Sequence, residues 1–236
     1  MKALLLYAAA ATAVAGGGAG GSVLGVSPVG IERAGKERTA VLTLRNGGSE
    51  PLNVQLRVFR WTQVDGEDVL VRTSDIVASP PAAVILPGQR NVVRVVRQDT
   101  DPPAEAEAYR LIVDEVPDPE AVKAGTIKMA LRQSVPVFFL PGKNVQANLS
   151  WQISWSNGQG TLRVTNSGQR PVRLSGVSLT KGEAEIWNKQ GLLGYVLGGS
   201  TKTWQMAGLA NPGPGPVTIN ATTRQGSVTA QAPVGI

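Results

Sequence analysis

Residues 127–140, Ile-Lys-Met-Ala-Leu-Arg-Gln-Ser-Val-Pro-Val-Phe-Phe-Leu, constrain the fold of this chain more than any other stretch. Ile127, Met129, Leu131, Val135, Val137 and Phe139 take the odd positions, with Lys128, Ala130, Arg132 and Ser134 between them. A period of two is the pattern of a β-strand with one apolar face. The segment is long for a strand, most of which stop at about five or six residues. Pro136 can donate no ladder hydrogen bond, which confines it to an edge, a start or a bulge. A long apolar strand able to lie at an edge invites aggregation unless it is covered or exists to be paired with another protein. An ordinary core strand is the plainer alternative.

The rest of the chain repeats that texture. Alternating runs at 38–46, 52–61, 69–71, 91–97, 108–116, 149–155, 161–165, 172–179, 195–197, 201–206, 217–221 and 227–232 predict strands. Asp65-Gly66 predicts a hairpin, and Leu86-Pro87-Gly88 a type II-like turn. Residues 23–34 read as a strand broken by Pro28 and Gly30, suited to an edge that bends between two sheets. No convincing helical period occurs. Asn46-Gly47-Gly48-Ser49-Glu50-Pro51 is echoed by Asn166-Ser167-Gly168-Gln169-Arg170-Pro171, with Asn, Gly and Pro at matching offsets between two strands. Such an echo fits a duplicated sandwich corner. The expectation is all-β: two immunoglobulin-like sandwiches of seven strands in an angled arrangement, one over 22–140 and one over 145–236, with 141–144 as linker.

Composition narrows function. The chain has no Cys and no His, so thiolate chemistry, Cys-based metal sites and the usual general base are absent. Asp114 and Glu115 are neighbours on a strand, so they face opposite sides and cannot flank one scissile bond. The formal charge of +6 comes from basic residues scattered singly, a better match to a solvated face than to a nucleic-acid site. Trp61, Trp151, Trp155, Trp187 and Trp204 lie in or near alternating runs, which favours packing over ligand stacking. At the start, Lys2, the apolar run 3–11 and Ala13-Val14-Ala15 have the layout of a secretory signal; 1–21 read as signal peptide and Gly-rich leader, cut between 15 and 22.

Taken in order, several motifs resemble the periplasmic pilus-assembly chaperones of the chaperone–usher pathway. The carriers are Ala78-Ser79-Pro80-Pro81, Leu86-Pro87-Gly88, Arg94, the run from Tyr109 to Pro117, the strand from Ile127, and Gly194-Tyr195-Val196-Leu197-Gly198. The resemblance implies that the alternating strand, seventh of the first domain, inserts Ile127, Met129 and Leu131 into a pilus subunit lacking its own last strand. It further implies a periplasmic location, delivery to an outer-membrane usher, no cofactor and no small-molecule substrate. Glu115 and Pro136 are expected to support the domain arrangement. One departure stands out. Better-known members grip the subunit's terminal carboxylate with an Arg on the first strand and a Lys late on the seventh; here those positions hold Val29 or Gly30, and Pro136. Val-Pro-Val-Phe at 135–138 and Arg-Val-Phe-Arg-Trp at 57–61 point to the archaic branch, whose subunits resemble spore-coat U proteins. The alternative reading is a secreted tandem-sandwich adhesin or structural pilus component; a carboxylate enzyme is the remaining one.

Overall fold

The structure, a computed structural model, describes residues 24–117 and 130–235. These residues form two β-sandwiches and no helix. In the first, β1 (Leu24–Ser27), β3 (Thr39–Asn46), β8 (Arg90–Arg97) and β6 (Ile76–Ser79) form one sheet in that order. The facing sheet runs β2 (Ile31–Ala34), β10 (Arg132–Leu140), β9 (Glu107–Glu115), β4 (Leu52–Val64), β5 (Glu67–Arg72), with β7 (Ala82–Ile85) also paired to β4. In the second sandwich, β15 (Ser200–Met206), β12 (Gln159–Asn166), β11 (Leu149–Ser156) and β18 (Val234–Gly235) face β14 (Ala184–Val196), β13 (Val172–Lys181), β16 (Val217–Thr223) and β17 (Gly226–Ala232).

The broken strand at 23–34 switches sheets. Leu24–Ser27 pairs antiparallel with β3, and after Pro28 and Gly30 the chain crosses to run parallel with the end of β10. One core lies between each pair of sheets; Leu42, Leu44, Val93, Leu111 and Val137 centre the first, and Ile153, Leu162, Leu174 and Ile219 the second. The echoed corners are alike in detail. Asn46 is buried, and its amide donates to the carbonyls of Glu50 (2.6 Å) and Ile85 (2.8 Å) while accepting from Gly48 N–H (2.9 Å). Asn166, equally buried, donates to the Arg170 carbonyl (2.8 Å) and accepts from the N–H groups of Gly168 (3.1 Å) and Asn148 (3.0 Å).

Two expectations need correcting. Among the described residues the organising strand begins at Arg132, and its alternation ends early: Val135, Val137 and Phe139 face the first core, yet Phe138 and Leu140 on the opposite face are equally buried. The second domain is the reason, since Leu197 and Tyr195 pack there against Trp61, Ala108, Phe138 and Leu140. Secondly, β14 extends back from the expected 195–197 to Ala184, past a positive-φ Gly191, with bulges in its register against β13.

The two sandwiches are tied at the β4–β5 hairpin. Asp65 (φ 52°) and Gly66 (φ 81°) both take positive φ, as a type I′ turn demands. The Gly66 carbonyl accepts from Thr203 N–H (3.1 Å). The Gln63 amide acts as a short piece of ladder, donating to the Tyr195 carbonyl (2.8 Å) and accepting from Leu197 N–H (3.0 Å). Lys202–Glu67 (2.8 Å) and Arg170–Glu32 (2.5 Å) add ion pairs across the boundary.

Candidate functional site

β2 covers β10 only over Val137–Leu140. On the other side β9 pairs with β10 from Arg132 to Phe139. Arg132–Pro136 therefore has no strand neighbour on one side among the described residues. That open edge is the consequence of the sheet switch at Pro28–Gly30: the first strand leaves β10 halfway along and joins the other sheet. A side-chain hydrogen bond bridges the gap, Gln133 Nε2 donating to the Leu24 carbonyl at 2.5 Å.

Leu131 precedes the strand and is 38% exposed. Ile127 and Met129 lie outside the described residues. Glu115, expected to help hold the domains together, instead anchors the entry to β10. Its N–H donates to the Leu131 carbonyl (2.9 Å) and its carboxylate accepts from Leu131 N–H (3.3 Å), both within the first domain. Pro136 faces the interdomain cleft; a Cβ on Gly30 would lie 3.4 Å from its Cγ. Gly30 and Pro136, where the family resemblance would put a charged pair, are thus neighbours, and neither carries a charge, while Val29 projects into solvent at 76% exposure.

The cleft face of this sheet is laid out in cross-strand rows. Pro136, Arg110, Phe59 and Arg72 form one row across β10, β9, β4 and β5. Farther out, Asp114 takes Arg57 on one oxygen (2.6 Å from Nη2, 3.0 Å from Nε) and Arg132 on the other (2.5 Å). Burial pushes the Asp114 carboxyl up, but the hydrogen bonds from Arg132 and Arg57 outweigh it and hold the group below its ordinary value.

Arg110 differs from these. Its guanidinium lies 3.7 Å over the Trp61 ring and 5.1 Å from that of Tyr195. It makes no hydrogen bond or ion pair with any described residue. Burial lowers its pKa, yet an arginine remains charged at any physiological pH. Its half-buried charge is held by aromatic faces, and Asp68 is the carboxylate whose charge acts on it. The sequence reading overlooked it, although a lone Arg inside the apolar run Tyr109–Val113 was the available signal. Among the described residues, no group of three or more His, Cys, Asp or Glu could hold a metal.

Comparison with known proteins agrees with this geometry. Residues 24–144 match the family described as pili and flagellar-assembly chaperone, PapD N-terminal domain. The fimbrial chaperone YcbF of Escherichia coli (strain K12) is 26% identical over 183 residues, 75% of each chain. Among solved structures, the CsuC–CsuE chaperone–tip adhesion subunit pre-assembly complex, from the archaic chaperone–usher Csu pili of Acinetobacter baumannii, matches with a TM-score of 0.68 and 26% identity. That match covers 91% of this chain and 100% of the other. The Salmonella enterica SafA pilin–SafB chaperone complex shares the fold, with a TM-score of 0.60 at 19% identity over 89% of this chain and 95% of the other. With the family match spanning just over half of its length, this chain belongs to the pili and flagellar-assembly chaperones, a family whose work is non-enzymatic.

Proposed function

We propose that this protein is a periplasmic chaperone that binds pilus subunits by lending them the strand that ends in β10, and passes them to an outer-membrane usher. The open edge of Arg132–Pro136 carries the reading. An incomplete subunit sandwich exposes both a core groove and an unpaired edge, and one donated strand satisfies both. Ile127, Met129 and Leu131 supply the apolar side chains. Each is worth about 1.5–3 kcal/mol when buried, roughly 5–8 together before the cost of association. Arg110 is the group in the cleft placed to receive an anionic end of the subunit, in place of the charges missing at Gly30 and Pro136. The archaic branch is the better assignment, supported by the 135–138 and 57–61 motifs.

The test is capture of the subunit by Met129→Asp and Leu131→Asp variants, with circular dichroism as the folding control. Each variant is expected to stay folded and lose the complex, because a carboxylate cannot be desolvated in an apolar groove at a tolerable cost. Wild-type levels of capture by both would overturn the assignment of this strand.

A further inference from the structure

Each sandwich has a terminal strand that changes sheets, and each change leaves part of an edge uncovered. In the first, the switch at Pro28–Gly30 opens β10 over Arg132–Pro136. In the second, the last strand makes the switch. β17 ends at Ala232, and after Pro233 the chain crosses to β11, where β18 pairs only with Ile153 and Ser154. Leu149–Gln152 of β11 therefore has β12 on one side and no strand on the other among the described residues. β17 is an edge as well, paired with β16 alone.

Between these two edges lies an open groove of about 450 Å³, within the range of roughly 300–1,000 Å³ that ligand sites occupy. Leu149, Trp151, Val172, Val228 and Ala230 give it an apolar lining, and no charged residue borders it. A charged ligand would find no counter-charge there. Four uncovered residues of β11 present strand-edge backbone groups over about 13 Å. Unpaired backbone beside an apolar lining is satisfied by an added strand that brings apolar side chains at alternate positions.

One turn joins this groove to the interdomain cleft. Thr223, Gln225 and Gly226 border the groove, while Arg224 between them reaches the other way, its Nη2 3.0 Å from where a Cβ on Gly30 would stand. That same Cβ would lie 3.4 Å from Pro136, the last residue of the open β10 edge. The Thr223 hydroxyl fixes the turn, donating to the Gly226 carbonyl (2.8 Å) and accepting from Gln225 N–H (3.1 Å). The two open edges are thus neighbours, and a polypeptide paired with β10 that continues past Pro136 arrives at the groove.

Resting on the subunit-binding reading above, we infer that the groove between β11 and β17 is a second strand-accepting site. Its occupant is an extended, uncharged segment of the bound subunit, adjoining the part held at β10.

The chain has no Cys, so a single introduced thiol reports on its own surroundings. Ala230→Cys places one in the groove, and Gln231→Cys, on the opposite face of β17, is the control. The measurement is the rate of alkylation by iodoacetamide in the free chaperone and in its complex with the subunit that co-purifies from a periplasmic extract. A segment that leaves the groove open about one-tenth of the time slows alkylation of Ala230→Cys about tenfold in the complex. Gln231→Cys should react equally fast in both. Filling the groove with Ala230→Arg should speed subunit dissociation about tenfold, with Gln231→Arg at the wild-type rate and circular dichroism as the folding control. The thiol measurement decides the matter should Ala230→Arg fail to fold. Equal alkylation of Ala230→Cys in the free and bound chaperone, in a complex that Leu131→Asp abolishes, would overturn the second site and leave the subunit reading intact. Protection in the free chaperone that grows with its concentration would give the groove to a second copy of this chain, and the inference would fall. Capture of the subunit at wild-type levels by both Met129→Asp and Leu131→Asp would overturn the strand reading, and the inference with it.

Discussion

The side chains of Asn46 and Asn166 do work that no apolar residue could do in their places. Each is buried at a corner and satisfies backbone groups that would otherwise be stranded. A stranded buried donor or acceptor costs about 1–3 kcal/mol. Asn166→Ala leaves three such groups and is expected to destabilise the chain by more than about 2 kcal/mol in urea unfolding, and Asn166→Asp by more, since its carboxylate would face the Arg170 carbonyl. A second prediction concerns Glu107. Burial pushes its carboxyl up, but hydrogen bonds from Arg97 and Tyr109 more than compensate, so its pKa in the folded protein is depressed. A depressed carboxyl contributes stability above its unfolded value, about 4.3, and that contribution is lost as pH falls through the folded value. The wild-type melting temperature should therefore fall with acidification below about pH 4. Glu107→Gln should start lower at neutral pH and show a shallower fall over that window, with the remaining slope carried in part by Asp114, whose pKa is also depressed. An unchanged slope would mean that the Arg97–Glu107 pair does not form in solution.

At the level of elements, the β4–β5 hairpin is the piece that reaches from one sandwich to the other. Gln63→Ala removes both of its bonds to the β14 end, leaving Tyr195 C=O and Leu197 N–H without those partners. About 2 kcal/mol should be lost, read as a lower melting temperature. Gly66→Ala should cost at least as much, because φ there is +81° and a Cβ would meet Thr203 Oγ1 at 2.5 Å. Small-angle scattering should show both variants with a larger radius of gyration than wild type, the mark of domains coming apart rather than of local unfolding. Most elements could be read from alternation and turn residues: the Asp65-Gly66 hairpin and the sheet switch at Pro28–Gly30 both follow from residues with a single structural use. β14 could not, because its exposed residues 188–192 are largely polar or glycine and its bulges break the period of two. The second buried face of β10 was also hidden, since a strand's own sequence does not say that another domain will cover it.

The whole molecule explains why one chain carries two sandwiches when the open edge of β10 belongs to the first. The final residues of β10, Phe138 and Leu140, are covered by Tyr195 and Leu197 of the second, with Trp61 stacked among them at ring-centroid distances of 5.9 Å from Phe138 and 5.4 Å from Tyr195. The second domain thus clamps one end of β10, while among the described residues the edge of the other end stays open. The strand at 132–140 was evident from the alternation in its sequence, but the clamp depends on contacts between residues far apart in the chain. A chain ending at Lys143 therefore should not behave as a free-standing unit. Uncovering Trp61, Ala108, Phe138 and Leu140 exposes a contiguous apolar patch beside an already open edge, and each large side chain left in water forfeits about 1.5–3 kcal/mol. The truncated protein is expected to melt at a lower temperature than the full chain, to bind the dye ANS and to associate in sedimentation velocity. Phe138→Ser in the truncated chain should reduce the association without restoring stability. A truncated chain that stayed monomeric with the full-length melting temperature would show that β10 keeps its shape unaided, and that the second domain serves the cleft and not the strand.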